Sequence, residues 1–406
     1  MSIDALRGFD MFWIIGADAL VYALHRMTDG SAANPATDEV PHSITGFLAY
    51  ELEHAKWAGF HFYDLIFPLF VFIVGVSLVF SLTKQIEKGG RHDAMKRIFR
   101  RSILLFIVAL LYSGGVSSAW PDIRLMGVLN RIALCYLFAG LIFCFFNLRA
   151  MIAICVSLLV GYWALMSFVP IRDIQLEKPA LEQIAKERGE KMDAEKLFYG
   201  TTNYVTGKFD HGINLANHID FQYLGGRRYD GGYFDPEGFL STLPAIATCL
   251  LGVFAGLLLR SGRWTDQQKV IHLLAAGLIL VSLGWMWSVQ FPVNKKIWTS
   301  SFVLVAGGYS AILLGTFYLV VDVWKYQKWC APFVWMGMNS ITIYLASNII
   351  GGFRNLAKRF VGGDVKNFFD NSIYHGSGDL LVAIFGLLLA FWFVNFLYRK
   401  KIFLRL

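Results

Sequence analysis

Residues 58–83 read AGFHFYDLIFPLFVFIVGVSLVFSLT, and no charged side chain interrupts them between Leu65 and Leu82. A run this long is enough to cross a bilayer core of roughly 30 Å, which takes about 20 residues as a helix. It is apolar all round, so it is not one face of a surface helix. Similar stretches lie at 5–25, 102–114, 125–147, 150–169, 239–260, 269–290, 299–322, 331–352 and 377–398. The stretch at 102–114 is short for a full crossing. With 56% hydrophobic and 16% charged residues, the chain departs from the balance of a soluble domain. We read an all-α, polytopic integral membrane protein of about ten transmembrane helices.

The net charge of +8 is explained by where the basic residues lie, and nucleic acid is not expected as a partner. With the N-terminus inside, Lys84, Lys88, Arg91, Lys96, Arg97, Arg100, Arg101, Arg149, Arg260, Arg263, Lys269, Lys325, Lys328, Arg399, Lys400, Lys401 and Arg405 fall on the cytoplasmic side, and the short outer loops carry about half as many. Both termini are then cytoplasmic. The first span lacks the basic flank and cleavage site of a signal peptide, so it is expected to stay in the mature protein. Cys135, Cys144, Cys155, Cys249 and Cys330 lie in or beside apolar spans with no CxxC, so no structural disulfide and no cysteine-metal site is expected. The chain has no N-x-Ser/Thr sequon, which favours a bacterial inner membrane.

Two outer segments, about 26–57 and about 170–238, are long enough to fold over the membrane. The second opens with a charged stretch, Leu176 to Leu197, that reads as a surface helix. It continues through the turn-forming GGRRYDGG at 225–232 and re-enters at Asp235-Pro236-Glu237-Gly238. Asp235 and Pro236 suit the start of a helix. The whole of 1–406 reads as a single domain. No internal repeat is visible, which argues against an inverted-repeat transporter.

Ionisable groups inside or beside a span are costly and mark candidate chemistry. Asp4 and Arg7 are three apart on a helix and can pair. Asp18, deeper in the same span, has no cation nearby in sequence. His54 and His61 are seven apart, so a helix through both places them on one face, with Asp64 a turn beyond His61. A histidine beside a buried carboxylate suits a general base, because its ordinary pKa is near working pH. Asp220, Asp235 and Glu237, near Tyr223, Tyr229 and Tyr233, can grip a cationic sugar through charge and ring stacking. Arg100 and Arg101, with Arg131 inside the fourth span, can receive the phosphates of a nucleotide-bearing cofactor. No P-loop, HExxH or GxSxG stands in a suitable context, and no metal is expected.

Scattered motifs then give a resemblance. They are Ile3-Asp4-Ala-Leu-Arg7-Gly8; His54-Ala-Lys-Trp57-Ala-Gly59; Asp64-Leu-Ile-Phe67-Pro68 running to Gly75; and Leu129-Asn-Arg131. Asp235-Pro-Glu237-Gly238, Leu251 to Gly256, Lys296-Ile-Trp298-Thr-Ser300, Gly337-Met-Asn339-Ser340 and the tail from Tyr398 follow in order. The chain resembles the heparan-α-glucosaminide N-acetyltransferase family and its bacterial relatives, within the transmembrane acyltransferases. The resemblance implies transfer of an acetyl group from cytoplasmic acetyl-CoA to the amine of a glucosamine-type sugar on the outer side. It places the family's active-site histidine on His54. It also places a supporting asparagine on Asp18, where a carboxylate accepts but an amide can also donate. No counterpart of the animal enzyme's large luminal domain is expected, as in a minimal bacterial form.

On this reading His54 is the base and Asp18 its orienter. Asn339, Ser340 or a backbone amide serves the oxyanion, and Asp220, Asp235, Glu237 and Trp298 line the acceptor site. A transient acetyl-histidine is an open alternative. Two other readings stay open: O-acylation of an envelope glycan by the same fold, and a proton-coupled sugar transporter. Partners are membrane lipid, acetyl-CoA and the acceptor glycan, with a homodimer left open.

Overall fold

The structure is a computed structural model that describes residues 1–29, 43–117 and 119–404. Arg405 and residues 30–42 of the first outer segment lie outside the described residues. Among those described the chain is helical, apart from a two-residue antiparallel pair, β1 (Ile171–Arg172) with β2 (Tyr204–Val205), and isolated bridges. Seven helical runs are long and apolar enough to cross a membrane. They are α4 (Phe62–Tyr112), α5 (Val128–Phe145), α6 (Leu148–Phe168), α10 (Thr242–Arg260), α11 (Asp266–Trp287), α12 (Ser300–Phe317, extended by a π turn to Val323) and α17 (Ser377–Arg399).

As one straight rod the 51 residues of α4 would run roughly 77 Å, far more than a bilayer core. Gly90 breaks it with φ 75°, ψ −177°, inside the charged stretch that separates two of the expected spans. The two arms return to the same level. Tyr112, at the end of the second arm, stacks on Tyr344 at 4.9 Å, and Tyr344 shares a cavity wall with Tyr63 from the start of the first. The short 102–114 stretch is therefore the upper part of a longer arm.

The first and ninth expected spans are each built from two shorter helices. α1 (Ser2–Phe12) and α2 (Asp18–Asp29) meet at a π turn, where Gly16 takes φ 127°, a conformation that favours glycine. α13 (Ala331–Met338) and α14 (Ser340–Ile349) meet at Asn339. α1 and α13 lie against each other: a Cβ on Gly337 would stand 1.8 Å from the Asp4 carbonyl oxygen. α3 (Ile44–Glu51) precedes the first arm of α4, and α15 (Phe353–Val361) and α16 (Asp364–Phe368) precede α17.

The outer loop differs in detail from the expected helix over Leu176–Leu197. Gly189, at φ 64°, ends α7 (Lys178–Arg188), and α8 (Ala194–Tyr199) starts anew on the Asp193 cap. α9 (Leu215–Tyr223) follows, and its Asp220 holds the re-entry turn by accepting from the backbone N–H of Phe239 at 3.0 Å. The re-entry is a series of turns, and α10 begins at Thr242, so Asp235 does not cap it.

Candidate active site

His54 sits in an irregular segment between α3 and α4, not on a helix with His61. Gly59, at φ 128°, bends that segment, and its N–H donates to the Val293 carbonyl at 2.8 Å. Trp57 pins the segment to the outer loop by donating its indole N–H to the Phe209 carbonyl at 2.8 Å. α4 then starts at Phe62 with His61 as its N-cap. The His61 ring packs at 4.3 Å on Tyr50, with Nδ1 3.0 Å from the Glu53 carbonyl, so it serves the structure of the segment.

Asp64, in the first turn of α4, organises this segment. Its Oδ1 lies 2.8 Å from His54 Nδ1, and its Oδ2 accepts from the backbone N–H of Ala55 at 3.1 Å and of His61 at 3.2 Å. The Asp64 side chain is 1% exposed, while His54 is 50% exposed. With Nδ1–H given to Asp64, the free lone pair of the imidazole is on Nε2. The carboxylate paired with His54 is thus Asp64 and not Asp18. Asp18 has its influence on Tyr63, whose ring is 4.9 Å from that of His54. Its charge acts on the Tyr22 and Tyr63 phenols and is met by Arg354 of α15.

A third group joins the pair. Lys295 Nζ is 3.4 Å from Asp64 Oδ1 and 3.2 Å from His54 Nδ1. An Nδ1 that donates to Asp64 cannot also accept from an ammonium, so the ammonium's hydrogen bond belongs to the carboxylate. Lys295 is held by a rigid turn. Asn294 Oδ1 accepts from the N–H of Lys296 and Ile297, and Asn294 N–H donates to Thr299 Oγ1. Burial pulls the Lys295 ammonium below the usual lysine range, and Asp64, Glu237 and Asp10 oppose that pull. Sequence reasoning missed both roles. The available signal was a lysine pair on an outer loop, against the charge rule for that side.

These groups face a cavity of about 320 Å³ that runs from the outer loop into the membrane-spanning bundle. Its polar wall carries His54, Asp64, Glu237, Lys295, Lys296 and Ser340, with Tyr63, Tyr229 and Tyr344. Its apolar wall carries Met11, Ile14, Phe67, Phe70, Ile132 and Trp298 among others. Of the expected acceptor residues, Glu237, Trp298 and Ser340 therefore stand with His54. Asp220, Asp235 and Asn339 do not. Asp235 is 2% exposed and saturated by Arg124, at 2.8 and 2.7 Å, and by the backbone N–H of Tyr229 and Glu237. Asp220 is spent on backbone amides, and burial pushes its carboxyl up to about 7. Asn339 is buried at the joint between α13 and α14 and donates to the Trp335 carbonyl.

The three arginines read as one phosphate site are separated. Arg131 is fully buried near the outer end of α5, where it donates to Ser241 and covers the Trp298 ring at 4.9 Å. It supports Trp298, which holds an unusual φ of 51°. Arg100 is exposed, and Arg101 lies over Tyr136 at 4.7 Å. They are roughly 16 to 18 Å of helix below Tyr112 at 1.5 Å per residue. The charge near Arg101 is Arg7, which pairs with Asp4 at 3.2 Å and donates to Ser77.

Residues 42–181, which include His54, Asp64 and Arg131, match the profile of a family described as heparan-alpha-glucosaminide N-acetyltransferase, catalytic. The human protein named heparan-alpha-glucosaminide N-acetyltransferase is 27% identical over 393 residues, covering 86% of this chain and 55% of its own. The mouse protein of that name is 27% identical over 346 residues, covering 73% of this chain and 49% of its own. The chain spans about half the length of the curated relatives it matches. The profile, the two relatives and the ordered motifs agree on what this chain is similar to: proteins named heparan-alpha-glucosaminide N-acetyltransferase.

Proposed function

We propose that this protein is a membrane-embedded N-acetyltransferase. It moves an acetyl group from cytoplasmic acetyl-CoA to the amine of a glucosamine-type sugar presented from the outer side of a bacterial inner membrane. The observation that carries the reading is the His54–Asp64 pair, 2.8 Å apart, on the wall of a cavity that joins the outer loop to the interior of the bundle. Amide formation from a thioester needs a deprotonated amine, a base to take its proton, and donors for the oxyanion. His54 Nε2 takes the proton as the amine nitrogen attacks the thioester carbonyl. The C–S bond then breaks, and the coenzyme leaves as a thiolate that takes up a proton.

Other residues support the same assignment. The Ser340 hydroxyl, at the start of α14, faces the cavity and supplies an oxyanion donor. Glu237 and Trp298 line the acceptor end, where a carboxylate meets an amine and an indole face meets a sugar ring. Arg7 and Arg101 place positive charge on the inner side of the bundle, where the phosphates of the coenzyme would arrive. In this reading Asp18 belongs to the acceptor end beside Tyr63, where its charge attracts the protonated amine before reaction.

The test is acetyl transfer by purified protein from acetyl-CoA to a panel of amino sugars and hydroxyl-only sugars, read by mass spectrometry. We expect N-acetylated product, and a loss of about 10²- to 10⁴-fold in the His54→Ala variant with acetyl-CoA binding retained. Wild-type turnover by that variant removes His54 from the mechanism, and product on hydroxyl-only sugars alone reassigns the protein to O-acylation.

A further inference from the structure

Lys295 is placed where a bystander lysine would not be. Its side chain is 20% exposed, its ammonium touches both members of the base pair, and it is held by a turn whose neighbours Asn294, Ile297 and Thr299 are buried. That turn is tied on three sides: to the segment carrying His54 through Gly59, to α10 through Trp298 and Thr248 at 3.1 Å, and to α6 through Ser300 and the Leu159 carbonyl at 2.7 Å. So much backbone order around a flexible side chain fixes the position of one charge.

We propose that Lys295 is a positioning residue of the His54 base: it holds Asp64 on Nδ1 and, as a fixed cation 3.2 Å from the ring, opposes protonation of the imidazole. The inference rests on the reading of His54 as the proton acceptor. A buried carboxylate alone beside His54 favours the charged imidazolium, which cannot accept a proton. Adding an ammonium on the same carboxylate oxygen makes the resting trio neutral overall and disfavours a second positive charge. The same field disfavours an ammonium acceptor at the ring and favours the neutral amine that can attack. Burial weakens the hold of Lys295 on its proton, and Asp64, Glu237 and Asp10 oppose that pull.

Other charges face the ring. Asp64 and Tyr63 come from α4, and Lys296 from the same turn as Lys295. Glu237 lies on the cavity wall, Glu51, Glu53 and His61 belong to the chain on either side of His54, and Asp10 and Asp18 of the first span act on Tyr63. Lys295 is in direct contact with the ring, its Nζ 3.2 Å from Nδ1.

The experiment compares wild type, Lys295→Met and Lys295→Arg in detergent, with one acceptor throughout so that the acceptor's own ionisation cancels. Two readouts are taken: the pH profile of kcat/KM, and the titration of His54 followed by NMR with labelled histidine, assigned with His54→Ala. In Lys295→Met the acidic limb and the His54 titration should both move to higher pH by about one unit or more. That is about a tenfold loss of free base below the midpoint, recovered at alkaline pH. Lys295→Arg should leave both near wild type. Lys295→Gln replaces the Met variant if the latter does not purify as a folded protein. A folded neutral variant whose His54 titration stays in place overturns the proposal, whatever the reaction is. If the titration moves but the wild type transfers no acetyl group, the electrostatic role of Lys295 stands and the acetyltransferase reading fails.

Discussion

Asp64 accepts from His54, from two backbone amides and from Lys295 while 1% exposed, so its carboxylate is fully used. An amide in its place must turn its NH₂ toward one of those donors. If that donor is Nδ1, the imidazole reverses its tautomer and Nε2 carries the hydrogen, as in a triad where the same change costs about 10⁴-fold. We expect Asp64→Asn to lower kcat by about 10²- to 10⁴-fold with little change in acetyl-CoA affinity. Stopped-assay kinetics beside a binding isotherm will show it, and kcat within a few-fold of wild type would leave the pairing without a catalytic role. Asp220 gives a stability prediction. Its folded pKa of about 7 exceeds the ordinary value of 3.8, so between those pH values the folded protein keeps a proton the unfolded chain releases. Stability therefore falls as pH rises from about 4 to about 7, by an order of a few kcal/mol in full. Asp220→Asn removes the ionisation and keeps one acceptor, so its Tm should drop less than the wild type's between pH 5 and 8. Parallel melting curves would contradict the burial of that charge. Sequence made His54 legible because a histidine beside a span is rare and the motif around it is specific. It did not make the pairing with Asp64 legible, since that depends on a bend at Gly59 which no spacing rule encodes.

Helices in this bundle approach through glycine. A Cβ on Gly75 would lie 2.0 Å from the Cys249 carbonyl, and one on Gly252 would lie 2.0 Å from the Phe72 carbonyl, so the first arm of α4 and α10 touch backbone to backbone. The same holds for α11 and α12, where a Cβ on Gly277 would lie 2.7 Å from the Gly308 carbonyl. In lipid no hydrophobic drive pulls helices together, and close packing of small residues replaces it. Gly75→Val should therefore separate α4 from α10 and lower Tm by several degrees or prevent folding. Gly161→Ala, in α6 with open space around it, should be neutral or slightly stabilising, by up to about 1 kcal/mol for removal of a helical glycine. Thermal melts of the pair in one detergent decide, and equal destabilisation would mean the glycines share no packing role. The crossing helices were legible as apolar runs, with ends within a few residues of those observed except at the Gly90 bend of α4, where charged residues extend both arms past the apolar runs. The joints at Gly16 and Asn339 were not, because a break inside an apolar run leaves hydropathy unchanged and is chosen by packing between α1 and α13.

Two faces of the molecule differ in charge and chemistry, and that difference sets its orientation. On one face lie the N-terminal ammonium, 3.4 Å from Asp322 at the end of α12, and the Gly90 bend, where Glu87 pairs with Arg260 at the end of α10. Lys84, Lys88, Arg91, Arg263, Lys325 and Lys328 crowd the same ends of these helices. On the other face lie α7, α8 and α9, the His54 segment and the Lys295 turn, tied together through Trp57 and Gly59. Over the short loops the first face is the more basic one, and the charge rule therefore predicts that it is cytoplasmic. The Lys295-Lys296 pair lies on the opposite side in a short loop, and its contacts with Asp64 and the cavity explain why it is there. One apolar cluster links Ala5 of α1 to Val334 of α13 through α4, α5, α10 and α12, so turning over one helix alone would break the core. The orientation is therefore all or none. In sealed right-side-out vesicles, an N-terminal tag should be protected from protease. A tag inserted at Glu190, exposed in the outer loop between α7 and α8, should be cut. Cleavage of the N-terminal tag with protection at Glu190 would invert the molecule, bringing acetyl-CoA and acceptor to opposite sides from those proposed. Cleavage of both would break the hairpin pairing of α4 that the Tyr112 contact requires.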